Sequence, residues 1–205
     1  MNQLFTGIYN RFSRKSLAVG PAVNVGGGVV GMPCTAHGYV TGDPIVITGT
    51  TNYDGSYTVL STTTTDQINI TAAYVAETFA ATDYAESSFY NLLSGRLYHV
   101  KAPQGATYPY CVYWMVTGDD DLNFTDENQI IQIQFDIVTQ NSSALSAGAI
   151  LDAMFYMFDD CTLTITGYRH LYMIRDWTIP NNDLTEVPPI MGYSVQYDVE
   201  IERAK

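Results

Sequence analysis

The sequence predicts an α+β fold: an antiparallel four-stranded sheet packed against two helices, with a small all-β barrel or sandwich domain inserted near the start. Three observations carry this reading. Segments 129–138 and 191–202 alternate apolar and polar residues with period two, as half-buried antiparallel strands do. Between them, Ala147, Ile150, Leu151, Met154, Phe155 and Phe158 recur at helical spacing. Residues 19–89 hold no Lys or Arg at all, and such a change in charge marks a change of module.

The elements follow in order. Leu4, Phe5, Ile8, Tyr9 and Phe12 predict a short amphipathic helix within 1–18, a segment with Arg11, Arg14 and Lys15 and no acid. Gly26-Gly27-Gly28 reads as a flexible entry to the next module. Short strands are predicted at 29–35, 44–48, 56–61 and 67–71. Gly42-Asp43-Pro44 and Tyr53-Asp54-Gly55 supply the turns. The expected core of this module is Val29, Val30, Ile45, Ile47, Tyr57, Val59, Ile68 and Ile70. Beyond it, 110–116 is almost continuously apolar, as a buried central strand is. The strand at 129–138 follows, then a helix for which Asn141 or Ser142 could serve as N-cap. Strands at 167–178 and 191–202 complete the sheet.

Composition excludes some classes. With 46% hydrophobic and 15% charged residues in 205, the chain can bury a core and is not a disordered tract. A formal charge of −12 repels phosphate backbones and anionic lipid heads. The first residues lack the basic flank and apolar run of a signal peptide, and no apolar stretch is long enough to span a bilayer. Cys34, Cys111 and Cys161 are scattered and odd in number, which reads as reduced thiols made in a cytosol.

A search for chemistry yields little. His37, His99 and His170 have no partner at metal-ligand spacing, and the Gly26–Gly28 triplet is not followed by the Lys and Ser/Thr of a phosphate loop. Asp119, Asp120, Asp121, Asp126 and Glu127 crowd five carboxylates together. Their spacing does not fit an EF-hand loop, and they read as a solvated hairpin tip. The chain is therefore expected to have no catalytic residue, no metal and no cofactor.

One run carries a resemblance. Leu97-Tyr98-His99-Val100-Lys101-Ala102-Pro103-Gln104-Gly105-Ala106-Thr107-Tyr108-Pro109-Tyr110-Cys111-Val112-Tyr113 resembles a pattern found in the tail terminator, or tail-to-head joining, proteins of long-tailed bacteriophages. The likeness continues through the Gln-rich strand Ile131-Gln132-Ile133-Gln134-Phe135, the helix after it and the last strand, and so covers 97–201. Its most specific part is Ala102, Pro103, Gly105, Tyr108, Pro109 and Tyr110, which the resemblance marks as interface candidates. In that family the first helix runs almost directly into a strand like Gly95-Arg96-Leu97-Tyr98. Here a long segment intervenes, giving a discontinuous domain of 1–18 and 89–205 with an insert at 19–88.

The resemblance implies a structural virion protein of the neck, made in the host cytoplasm. It would form a ring, usually of six copies, that caps the tail tube and meets the head connector. Its partners would be itself, the tail tube protein and the connector or stopper. The genome would pass through a lumen without specific binding, and no membrane would be involved. Asp119, Asp120, Asp121, Asp126 and Glu127 would then line the lumen or a loop. Alternatives are a head-completion or stopper protein, or a carbohydrate- or cell-binding module carried by the insert.

Overall fold

The computed structural model describes residues 2–122, 127–140 and 144–204, with only the backbone described at 61–63, 119–122, 127 and 144. The chain forms two compact units, Met1–Arg11 with Leu92–Lys205, and Phe12–Asn91. The seams fall inside two helices, α1 (Asn2–Phe12) and α2 (Ser88–Leu93).

In the unit 12–91 the strands are short. They are β1 (Lys15–Ser16), β2 (Gly20–Pro21), β3 (Val23–Gly26), β4 (Val29–Pro33), β5 (Pro44–Thr48), β6 (Gly55–Thr58), β7 (Ser61–Thr64), β8 (Gln67–Thr71), β9 (Thr78–Phe79) and β10 (Tyr84–Ser87). They make two four-stranded sheets, ordered β1-β10-β5-β6 and β3-β4-β8-β7, and a two-stranded β2-β9 pair. One buried cluster serves both larger sheets, with Val30 and Ile68 from one, Ile45 and Ile47 from the other, and Leu17 and Phe79 beside them. Gly26–Gly28 is not a loose entry. Gly26 pairs with Val29, and Gly27 and Gly28 form the two-residue turn of a β3–β4 hairpin. Both hold positive φ (62° and 78°), the conformation a tight hairpin turn demands and glycine adopts without steric cost.

The other unit holds β11 (Leu97–His99), β12 (Tyr110–Leu122), β13 (Glu127–Gln140), α3 (Ala144–Phe158), β14 (Tyr168–Pro180) and β15 (Ile190–Arg203). Its sheet runs β11-β12-β13-β15-β14, with β11 parallel to β12 and every other pair antiparallel. The alternation in β13 and β15 does what period two requires. Ile131, Ile133, Phe135 and Ile137, with Val195, Tyr197, Val199 and Ile201, are all buried on the sheet. Ala147, Ile150, Met154 and Phe158 are the buried stripe of α3, and Leu4 and Ile8 are buried on α1.

This architecture corrects the expected fold class. Among the described residues strand far outweighs helix, and it is arranged in several sheets with three helices. The larger sheet has five strands, so a four-stranded antiparallel sheet on two helices does not describe it. Two physical reasons explain the difference. β11 has three residues and joins in parallel, and nothing local in the sequence signals a parallel partner. Strands such as β1, β2 and β9 are two residues long, below the length at which alternation can be read.

The three cysteines are free. Burial pushes the Cys34 thiol up to about 12 and the Cys161 thiol up to about 11, and raises Cys111 as well. Such thiols are poor nucleophiles at neutral pH.

Candidate functional site

Five of the six residues of the phage-like motif lie in one loop between β11 and β12, and the sixth, Tyr110, opens β12. β11 ends as Val100 turns to φ 70°, and the Lys101 amide donates back to the His99 carbonyl. The Ala106 amide then donates to the Pro103 carbonyl at 3.1 Å, closing a four-residue turn. Gly105 sits at its third position with φ 76°, where a side chain would be strained. The loop returns through Tyr108-Pro109, a cis peptide, into the first residue of β12.

Arg96 clasps this loop from both sides of its backbone. Its Nε donates to the Pro109 carbonyl at 2.8 Å and its guanidinium to the Tyr108 carbonyl at 3.4 Å. Its own carbonyl accepts the Cys111 amide at 2.9 Å. Tyr108 and Tyr110 stack with centroids 5.4 Å apart, and Tyr98 meets Tyr110 edge-on. Burial raises the Tyr110 hydroxyl above its ordinary value, with Tyr108 and Tyr98 adding to the effect. Pro103, Gln104 and Gly105 remain exposed, while Ala102, Tyr108, Pro109 and Tyr110 are half-buried. The arrangement makes no reactive centre; it is a stiffened, proline- and tyrosine-rich knuckle on the end of a sheet.

The acidic candidates lie elsewhere. Asp119, Asp120 and Asp121 occupy the far end of β12, opposite Ile130, Gln129 and Asn128, and Glu127 opens β13 opposite Leu122. Their backbones continue the ladder, where the sequence alone suggested a tip. Asp126 lies outside the described residues, as do Asn141 and Ser142. At about 3.3 Å per residue, Tyr110 and Asp119 stand roughly 30 Å apart along one strand. The structure therefore sets the two candidate groups at opposite ends of the sheet. Among the described residues, no cluster of His, Cys, Asp and Glu has the geometry to hold a metal, and no helix is long and apolar enough to cross a membrane.

Two features escaped the sequence reading. Beside β11, Phe5, His99, Val100, Trp114 and Met115 line an apolar groove of about 470 Å³. Its wall is aromatic, with Phe5 packed on His99 at 4.2 Å and the Tyr113 hydroxyl donating to the Phe5 carbonyl. Burial pushes Tyr113 up to about 12. At the end of α3, the buried Tyr197 hydroxyl donates to Asp159 at 2.7 Å, and Arg175 pairs with the other carboxylate oxygen at 3.1 Å. The Arg175 guanidinium also lies 3.5 Å over the Phe155 ring. Burial, and then the bond to Asp159, hold the Tyr197 hydroxyl far above the usual range. Each cluster joins segments far apart in sequence, so no local motif announced it.

No protein-family model and no curated protein matches the sequence. Among solved structures, a chain of a "Virion of native gene transfer agent (GTA) particle" is similar at 13% identity with a TM-score of 0.47. The alignment covers 57% of this chain and 86% of that one.

Proposed function

We propose that this chain is a structural virion protein of a long-tailed bacteriophage, a tail terminator that caps the tail tube as a ring and joins it to the head connector. The observation that carries the reading is the Arg96-clasped loop. The most specific residues of the phage-like pattern, Ala102, Pro103, Gly105, Tyr108, Pro109 and Tyr110, are those that build it. A docking knuckle functions by holding its shape before contact, because ordering a loose loop would cost binding energy. Its partners in this reading are a second copy, the tube protein and the connector, and no bond is made or broken.

Arg96→Ala tests the role of the loop. The substitution removes two charge-assisted hydrogen bonds but leaves the buried faces of β13, β15 and α3 intact. Purified variant should stay folded, with faster amide exchange across 101–110. It should restore infectivity to tails lacking the protein at least tenfold less well than the parent chain. Equal restoration with a loosened loop would contradict the proposal.

A second expectation concerns the genome. Each copy adds a charge of −12 to a ring through which DNA would slide. Counterion release needs clustered Lys and Arg, and residues 102–168 hold none. Duplex DNA should bind no more tightly than about 100 µM at physiological salt. Sub-micromolar binding that weakens steeply with salt would count against a passive lumen.

A further inference from the structure

The five-stranded sheet has two outer edges, and neither is covered along its length. At one, β11 pairs with Cys111–Tyr113 and stops, and the Val100 amide bonds the Tyr113 carbonyl at 2.9 Å. From Trp114 to Leu122, the described residues give β12 no backbone partner other than β13. At the other edge, the segment before β14 covers its first half. Ile165 bridges Tyr168, and the Asp160 amide donates to the Met173 carbonyl at 3.2 Å. From Ile174 to Pro180, β14 pairs with β15 alone among the described residues. Exposed apolar side chains mark both open stretches: Met115 and Val116 on one, Ile174 and Ile179 on the other. Long open edges of this kind invite another strand.

The two edges suit each other. β12 and β14 run antiparallel, so β14 of one copy laid beside β12 of the next continues the alternation of the sheet. The open stretches also share a level. Across β13 and β15, Trp114 stands level with Trp177 and Thr117 with Ile174, so both edges are open over the same few residues. Arg169 lies in the covered half of β14, where it pairs with Glu202, and takes no part in the contact. Where β11 stops, the groove walled by Phe5, His99, Val100, Trp114 and Met115 adjoins the open part of β12 and can take an apolar side chain from the arriving edge.

We infer that copies of this chain join head to tail by antiparallel strand addition, the β14 edge of one against the β12 edge of the next. The contact is heterologous, so it closes into a ring or runs on as a filament according to the rotation between copies. The inference deepens the ring reading by naming the two surfaces, and closure of the ring rests on that reading.

Cross-linking in the full chain tests it. Val116→Cys would be mixed at millimolar concentration with Ile174→Cys or with Ile179→Cys, then oxidised. All three positions are exposed, and the native thiols are buried or raised, so the new cysteines dominate the reaction. At least one mixture should yield a disulfide dimer ten times faster than any variant yields with itself, and a variant carrying both cysteines should yield higher oligomers. Equal rates for like and unlike pairs, or no dimer at all, would overturn the inference. Rings seen on tails without the β12–β14 cross-link would spare the ring reading and overturn this contact. A rapid cross-link giving only open ladders would support the contact and contradict the ring.

Discussion

Phe135→Ala should lower the stability of the five-stranded unit by about 3–5 kcal/mol, the usual cost of emptying a large aromatic site. Phe135 is fully buried at the centre of β13. Its ring lies 5.6 Å from Tyr113, 5.1 Å from Phe158 and 5.8 Å from Tyr197, so it touches β12, α3 and β15 at once. Removing it takes away both apolar burial and three ring contacts, and rings held by strands on either side can collapse little into the gap. Urea unfolding followed by tryptophan fluorescence reads this unit selectively, because Trp114 and Trp177 both lie in it and are the only tryptophans in the chain. A loss below about 1 kcal/mol would mean the aromatic cluster is not the centre of the core.

Gly192→Ala should destabilise the same unit by about 1–3 kcal/mol through a steric effect. Gly192 lies on β15 opposite Val138, and a Cβ there would fall on the Ile137 carbonyl oxygen, with the Asn181 carbonyl 3.2 Å away. Both are backbone atoms, and the Gly192 carbonyl also accepts the Asn181 amide at 2.9 Å, so the strand itself must move. Gly148 is the matched control. It lies within α3 with open space around its Cβ position, and Gly148→Ala should stabilise by up to about 1 kcal/mol. Equal effects at the two glycines in denaturant titrations would refute the steric account.

These residues also show what the sequence could and could not reveal. Helices α1 and α3 and strands β13 and β15 were legible, because each is long enough for its period to be counted. The residues that place the candidate loop were less so. Arg96 is read from the chain as one residue of a short strand, yet its side chain bonds carbonyls 12 and 13 positions later. The resemblance implied a short strand at Gly95-Arg96-Leu97-Tyr98, but its place as a fifth strand of the sheet could not be read, because parallel pairing leaves no local mark. The glycine triplet misled for another reason: its composition suits a hinge and a tight turn equally, and only the pairing of Gly26 with Val29 decides between them. The acids at 119–121 looked like a tip because a polar run reads as a turn, yet the backbone ladder of β12 and β13 continues through it. Tyr197, Asp159 and Arg175 meet from α3's end, β14 and β15, and only the folded chain assembles them.

The central claim is that this chain sits in the neck of a tailed virion. Gold-labelled antibody against the purified protein, applied to virions and to free tails and viewed in negative stain, tests it most directly. Gold concentrated at the head-proximal end of free tails, on a ring there, is the expected result. Gold on the distal tip or along the tube, or virions that carry none of the protein, would contradict it.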